Sequence, residues 1–172
     1  YKGLQVGTLA DLNIFSFHPV KHITTGEGGM VTTHDATLAD RMRRFRHHGI
    51  NIDPHQREKK GSWYYEISDI GFNYRLTDFQ CALGISQLKK LPGWLEKRNE
   101  IASKYDVFFK GLSLVSPLEK REDIYHAYHL YVLKFDTGKL NLTRDEIFRH
   151  LKNNGLGVNV HYIPVHFHPF YQ

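Results

Sequence analysis

Residues 15–31, with the sequence FSFHPVKHITTGEGGMV, constrain the fold of this chain more than any other stretch. An apolar run ends near Pro19, and a turn rich in threonine and glycine leads into a second apolar run at residues 30–33. Because proline ends strands and glycine allows tight turns, this order predicts two strands joined by a turn. Lys21 lies at the start of that turn.

Lys21 can carry chemistry only if its amine is held away from water. Burial among apolar groups makes an ammonium costly, lowers the pKa of the lysine and leaves a nucleophilic free amine. The strand predicted over residues 13–17 would carry Lys21 towards the interior. Position alone favours a solvated loop lysine, because lysines are rarely buried. The residues by themselves therefore leave both interpretations open.

Capping signals and apolar periodicity predict the other elements. Asp35 fits the N-cap of a helix, and two Ser/Thr-x-x-Glu/Gln capping boxes begin at Thr77 and Thr143. Pro92 with Gly93 should break or kink the helix that starts at Thr77. We predict helices over residues 36–48, 78–91, 94–109 and 144–151, and strands over residues 126–135 and 157–162.

Residues 51–62, NIDPHQREKKGS, contain almost nothing to bury. A polar segment without apolar periodicity is typical of a surface loop. We therefore predict an exposed, mobile loop between the first helix and the aromatic segment that follows.

Composition excludes several classes of protein. With 41% hydrophobic residues among 172, the chain is globular rather than disordered. No apolar run is long enough to cross a bilayer, and Cys81 is the only cysteine, which fits the reducing cytoplasm. A net charge of +5 suits small anions such as phosphates, and we find no nucleic-acid-binding motif.

The string SFHPVKHITTGEGGMV around Lys21 closely resembles the cofactor-lysine segment of the DegT/DnrJ/StrS nucleotide-sugar aminotransferases. These are fold-type I enzymes that use pyridoxal 5′-phosphate (PLP). The resemblance implies that Lys21 forms the Schiff base with PLP and that Ser16 helps to hold the cofactor phosphate. Some relatives carry histidine at the position of Lys21 and act as dehydratases, so the lysine favours transamination.

A second string, GFNYRLTDFQCALG, also matches the family. The resemblance implies that Asn73 reaches the PLP phosphate of the neighbouring subunit and that Arg75 lies in the same cross-subunit region near the substrate. A dianionic phosphate needs neutral donors and positive charge, which these two side chains supply. Without the resemblance, Asn73 would be a turn residue at the entry to a helix. A homodimer with shared active sites follows from the resemblance.

A third string, VNVHYIPVH, matches the strand that lines the sugar-nucleotide site in relatives. The resemblance implies substrate contacts from Asn159, His161 and Tyr162. A half-buried strand with Val158 and Val160 inside is compatible with the same pattern. His161 could also belong to a zinc site with nearby histidines, but a closed site needs about four ligands and no cysteine or carboxylate is near. We therefore predict no metal site.

The resemblance also implies the architecture of the intact protein. Its class is α/β, with residues 1–92 forming the end of a large mixed-sheet domain and residues 93–172 a small α+β domain. The strand–helix–strand order of the last third supports the smaller domain. Family members have a long N-terminal half before the position of Tyr1 and continue beyond that of Gln172. The sequence is therefore expected to be a fragment.

Among relatives, the chain looks most like the enzymes that aminate C4 of UDP-linked 4-keto-6-deoxy sugars, as in pseudaminic acid biosynthesis. The resemblance implies amino-group transfer from an amino acid, with L-glutamate the expected donor, to such a sugar nucleotide in the cytoplasm. Two alternatives stay open: an inactive fragment serving only as a folded dimerisation or binding module, and a PLP-dependent sugar dehydratase. Neither a nucleic acid nor a membrane is expected as a partner.

Overall fold

The computed structural model describes residues 1–52 and 54–172 of the chain. These residues form two units, one of Tyr1–Ala102 with Lys120–Leu130 and the other of Ser103–Glu119 with Tyr131–Gln172. This division differs in position from the domain boundary predicted after Pro92. The boundary between the domains of the intact protein stays a prediction.

The first unit begins with a two-stranded antiparallel sheet. Strands β1 (Asn13–Ser16) and β2 (Gly29–Thr32) pair so that Ser16 lies opposite Gly29. The predicted order of strand, turn and strand around Lys21 is confirmed. The sheet matters for the site because it fixes both ends of the connection that carries the lysine.

Helix α1 (Ala36–Phe45) follows β2 and begins at the predicted N-cap. The Asp35 carboxylate accepts hydrogen bonds from Thr37 N at 2.7 Å and from Leu38 N at 3.1 Å. These bonds satisfy two of the four N–H groups that a helix start leaves without partners. The helix ends at Phe45, before the stop predicted at Gly49.

The predicted loop over residues 51–62 contains a short helix, α2 (Pro54–Lys59), so the loop prediction was wrong there. Glutamine, arginine, glutamate and lysine all have good helix propensity, and proline is favoured in the first turn. No side chain of α2 is buried, as the absence of apolar residues predicts. Asp53, which belongs to the predicted loop, lies outside the described residues.

Helix α3 (Asp78–Phe109) runs through Pro92 without a break, so the prediction of two separate helices was wrong. Proline removes one backbone hydrogen bond and costs about 3 kcal/mol in a helix interior. Leu91 and Leu95, one turn apart on either side of the proline, are both half-buried. Packing of this face offsets the lost hydrogen bond, because tertiary contacts supply most helical stability in proteins.

The second unit contains the elements of the last third of the chain. Its antiparallel sheet pairs β3 (Val115–Pro117) with β4 (Leu133–Phe135). The capping box predicted at Thr143 is confirmed, because its hydroxyl accepts from Glu146 N while the Glu146 carboxylate accepts from Thr143 N at 2.7 Å. The helices that follow β4 are α4 (Thr137–Leu140), α5 (Arg144–Asn153) and two 3₁₀ turns, Val165–Phe167 and Pro169–Tyr171.

Two predicted strands are corrected by the structure. Of residues 126–135 only β4 is a strand, and residues 157–162 form none. Carbonyls of residues 126–128 accept hydrogen bonds from side chains instead of from a neighbouring strand. Val160 N donates to the side chain of Asn159 at 2.8 Å. Aromatic and branched residues favour strands only where a partner strand takes up their backbone groups.

Burial is slight in the described part of the chain. Ala102, with 3% of its surface exposed, is the buried apolar residue, and Thr25, with 4%, is the buried polar one. Several large apolar side chains of the first unit are exposed, including Trp63 (85%), Ile70 (87%) and Phe79 (81%). No helix within the described ranges has the length and hydropathy needed to span a membrane.

Candidate active site

Lys21 lies in the connection between β1 and β2, and its N–H donates to His18 O at 3.0 Å. The backbone of Phe17 forms hydrogen bonds with both Thr25 and Gly28, near the end of this connection. Its N–H donates to Gly28 O at 2.8 Å, and its carbonyl accepts from Thr25 N at 3.1 Å. The Lys21 side chain is half-buried. The lysine is therefore carried by a hydrogen-bonded turn, which restricts where its amine can go.

Thr25 anchors that turn, which was predicted from its threonines and glycines. Its hydroxyl donates to Glu27 O at 2.7 Å. Gly28, at φ +153°, passes so close that a Cβ there would lie 2.5 Å from Thr25 Oγ1 and 2.8 Å from Leu76 Cδ2. Such a side chain would displace the threonine, so the turn needs glycine at this position. The Thr-Thr-Gly-Glu-Gly-Gly run predicts the turn, but not which of the two threonines is buried.

Ser16 is the last residue of β1, and its hydroxyl oxygen accepts a weak hydrogen bond from His18 N at 3.4 Å. The serine is exposed. It therefore keeps its own O–H free to donate to an anion, because the described contact uses the hydroxyl oxygen only as an acceptor.

The segment 126–129 is fixed beside the lysine turn, a feature that sequence analysis missed. His22 Nε2 donates to Ala127 O at 2.9 Å, and the rings of His22 and His129 lie 5.5 Å apart. From α3, Arg98 donates to Tyr128 O at 2.9 Å and Asn99 donates to His126 O at 3.0 Å. His22 thus joins this stretch to the lysine turn, and Arg98 and Asn99 join it to α3.

The backbone around Asn73 is fixed by the chain that follows α1. His47 and Asn73 form an antiparallel bridge. On either side of it, His48 N donates to Phe72 O and Tyr74 N donates to Arg46 O, both at 2.9 Å. The Asn73 residue is exposed. A fixed backbone with an exposed amide is what a donor to an external phosphate requires.

Arg75 is held by His47, which sequence analysis did not identify. Arg75 Nη1 lies 2.7 Å from His47 Nδ1, and because a guanidinium can only donate, the histidine nitrogen accepts. Burial, followed by the charges of Arg75, His48, Arg57 and Arg46, lowers the pKa of His47 below its ordinary value of 6.5. His47 is therefore neutral at pH 7, which its role as an acceptor needs.

Asn159, His161 and Tyr162 belong to the second unit and are exposed. The rings of His161 and Tyr162 lie 4.1 Å apart, edge to face. Since residues 157–162 form no strand, the predicted inside and outside faces do not apply to them. Their contact with a substrate stays a prediction.

The residues of the first unit fit the chemistry of PLP. A half-buried primary amine can bond an aldehyde, and a hydroxyl, an amide and a guanidinium suit a dianionic phosphate. No hydrogen bond or ion pair joins Lys21 to Asn73 or Arg75 within residues 1–52 and 54–172. In the same ranges, no three histidine, cysteine, aspartate or glutamate side chains lie close enough to hold a metal ion.

Comparison with known proteins identifies the family. Residues 1–172 match the DegT/DnrJ/EryC1/StrS aminotransferase family, and the chain belongs to that family. It is 43% identical over 173 residues to UDP-4-amino-4,6-dideoxy-N-acetyl-beta-L-altrosamine transaminase of Campylobacter jejuni, covering 100% of this chain and 44% of that protein.

Solved structures agree with this assignment. Helicobacter pylori PseC, an aminotransferase involved in the biosynthesis of pseudoaminic acid, superposes with a TM-score of 0.86 at 35% identity, covering 100% of this chain and 44% of PseC. The PLP-form of Streptococcus pneumoniae Spr1654 superposes with a TM-score of 0.83 at 32% identity, covering 99% and 43%. The predicted family and fold class are confirmed. The chain spans less than half the length of the relatives that it matches.

Proposed function

We propose that the protein is a PLP-dependent aminotransferase that moves an amino group from an amino acid to a 4-keto-6-deoxy sugar nucleotide. L-glutamate is the proposed donor and bacterial surface-glycan or amino-sugar biosynthesis the proposed setting. Lys21 on its hydrogen-bonded turn, in a chain of this family, is the observation that carries the proposal. A cytoplasmic location is part of the proposal and agrees with the single cysteine, Cys81.

Each site residue has a proposed task. PLP, when bound, supplies an electron sink for the carbon that loses a proton. The Lys21 amine would hold the cofactor and would move a proton between the donor Cα and the cofactor C4′. Ser16 and Asn73 donate hydrogen bonds to the phosphate, and Arg75 adds positive charge. Asn159, His161 and Tyr162 contact the sugar nucleotide.

The central claim can be tested with the intact protein. After PLP and borohydride are added, peptide mass spectrometry should find the cofactor covalently attached to Lys21. Lys21→Ala should lose both the label and transamination while keeping its fold, because no other described amine sits on this turn. Lys90→Ala, which removes an exposed lysine of α3, is the matched control and should behave like the wild type. A label on any other lysine contradicts the assignment.

The same preparation separates the alternatives. A sugar dehydratase would convert the sugar nucleotide without L-glutamate, whereas the proposed transaminase needs the donor and releases 2-oxoglutarate. An inert binding module would take up no label at Lys21. Lys21 itself favours transamination over dehydration, because its amine can attach the cofactor again once the amino group has passed to the acceptor.

We also propose a homodimer in which Asn73 serves the cofactor of the partner subunit. Phe72 and Tyr74, on either side of Asn73, stack with ring centroids 4.9 Å apart and planes 11° apart. They expose 43% and 67% of their surface. Aromatic residues next to an arginine are enriched in the centres of protein interfaces, so this segment suits a contact with a second copy.

Mixed dimers test the shared site. Lys21→Ala and Asn73→Ala proteins should each be impaired, the second less severely. After subunit exchange, one site of a mixed dimer would carry both defects and the other neither. Activity should therefore exceed the average of the two parents. If exchange is confirmed by mass and activity is only the average of the parents, Asn73 does not act across the interface.

A further inference from the structure

The turn that carries Lys21 is attached at two points to helix α3. Thr24 N donates to Gln87 Oε1 at 3.2 Å. Gln80 Nε2 donates to Glu27 O at 3.0 Å. One glutamine thus accepts from the start of the segment Thr24–Glu27 and the other donates to its end. Both contacts join groups far apart in sequence, so they depend on the fold rather than on local turn geometry.

Between the two glutamines the turn packs directly on the helix backbone. Gly84 lies one helical turn after Gln80 and about one turn before Gln87, so all three share one face of α3. A Cβ at Gly84 would lie 3.0 Å from the methyl carbon of Thr25, closer than such atoms normally approach. Packing against the helix therefore contributes to the low exposure of Thr25, which is 4%.

Attachment of this segment restricts Lys21, which precedes it by three residues. Thr24 Oγ1 donates to Phe17 O at 2.9 Å, and Thr25 N donates to the same oxygen at 3.1 Å. Residues 17–25 therefore form a closed loop, and Thr24 joins its closing end to α3. Since a displacement of about 1 Å at a reacting group can cost about a hundredfold in rate, such attachment is functionally important.

We propose that Gln80 and Gln87 are positioning residues for Lys21, holding its turn against α3 through one donated and one accepted amide hydrogen bond. This inference rests on the proposed function, in which Lys21 is the residue that attaches the cofactor. The two amides have opposite tasks. Gln87 must present an oxygen to Thr24 N, whereas Gln80 must present an N–H to Glu27 O.

Because the two amides have opposite tasks, replacing either glutamine by glutamate removes its donor and keeps its acceptor. Gln87→Glu keeps an acceptor for Thr24 N and should be tolerated, whereas Gln87→Met keeps the length and loses the acceptor. Gln80→Glu keeps the oxygen that accepts from Thr77 N at 2.9 Å in the capping box. It loses the donor to Glu27 O, so a defect in this variant arises from the turn and not from the helix cap.

Two measurements on the intact protein test the proposal. In the absence of cofactor, hydrogen exchange at the Thr24 amide should accelerate about fivefold in Gln87→Met and stay unchanged in Gln87→Glu, since a hydrogen bond of this kind contributes about 1 kcal/mol. The amide of Ala39 in α1 is the internal control. With PLP and borohydride, the rate of labelling at Lys21 should fall about fivefold to tenfold in Gln87→Met and Gln80→Glu, with Gln87→Glu like the wild type.

The outcomes separate this inference from the proposed function. If the wild type is labelled at Lys21 and all three variants match it in labelling rate, the positioning role is refuted and the proposed function stands. If the wild type is labelled elsewhere, the proposed function fails and the inference fails with it. Should Gln80→Glu not fold, the comparison of Gln87→Met with Gln87→Glu decides alone.

Discussion

Replacing Gly49 by alanine should disrupt the backbone pairing that carries Asn73 and Arg75. Gly49 has φ +71°, in the left-handed region that side-chain-bearing residues rarely adopt. A Cβ built on it would also overlap with the backbone carbonyl of Asp69. The substitution therefore carries two separate costs, one from the backbone conformation and one from the overlap.

The two costs can be given magnitudes and measured apart. A left-handed conformation costs alanine about 1–2 kcal/mol, and overpacking costs about 1–3 kcal/mol, so Gly49→Ala should lose about 2–5 kcal/mol of local stability. Gly61, at φ +59°, has nothing within 4 Å of its would-be Cβ, so Gly61→Ala measures the conformational cost alone. The φ of Gly71 is not left-handed, but a Cβ added there would overlap with Gly49 N. Gly71→Ala therefore measures the overlap alone.

Hydrogen exchange is the appropriate assay because it reports local opening. The informative amides are those of His48, Ser68 and Tyr74, which donate across the pairing at 2.9 Å to Phe72 O, Gly49 O and Arg46 O. Their protection should fall most in Gly49→Ala, less in Gly71→Ala and least in Gly61→Ala. If Gly49→Ala costs no more than Gly61→Ala, the close approach of residues 49, 69 and 71 is not present and the account of how Asn73 is held is wrong.

Three further predictions concern titration and capping. An NMR titration should place the pKa of His47 below 6.5, and Arg75→Ala should raise it. Because the folded state then binds the proton less tightly than the unfolded chain, hydrogen exchange around His47 should show full stability above pH 6.5 and a loss as the pH falls below it. Asp35→Ala should cost about 1 kcal/mol in unfolding free energy by removing the cap of α1, whereas Asp40→Ala, which removes an exposed pair with Arg43, should cost about 0.5 kcal/mol. Hydrogen bonds from the Thr143 N–H and hydroxyl hold the pKa of Glu146 below 4.5, so Thr143→Val, which removes the hydroxyl, should raise that pKa. An unchanged pKa of Glu146 by NMR would contradict that cause.

The parts of the fold that the sequence predicts well are those determined by neighbouring residues. Asp35 and Thr143 cap helices through bonds that span two or three positions. The turn around Lys21 follows in the same way from its own proline, threonines and glycines. Local patterns of this kind need no knowledge of the rest of the chain, because the two partners always lie close together.

The contacts that hold the candidate site could not be predicted in this way. Gln87 meets Thr24 across 63 positions, His22 meets Ala127 across 105, and Arg75 meets His47 across 28. A glutamine or histidine has no local signature that identifies such a distant partner. The resemblance to a known family indicated Lys21, Ser16, Asn73 and Arg75, but not the side chains that hold the segments carrying them.

The failed strand prediction over residues 126–132 bears directly on the site. Tyr128 has φ +47°, which takes it out of the extended conformation that a strand needs. Three carbonyls of this stretch are taken up by side chains of His22, Arg98 and Asn99, rather than by one continuous ladder. A strand loses its pairing cooperatively, whereas a stretch held by separate side chains loses one contact for each substitution. The backbone beside Lys21 can therefore be loosened stepwise, while the pairing of β4 with β3 is left intact.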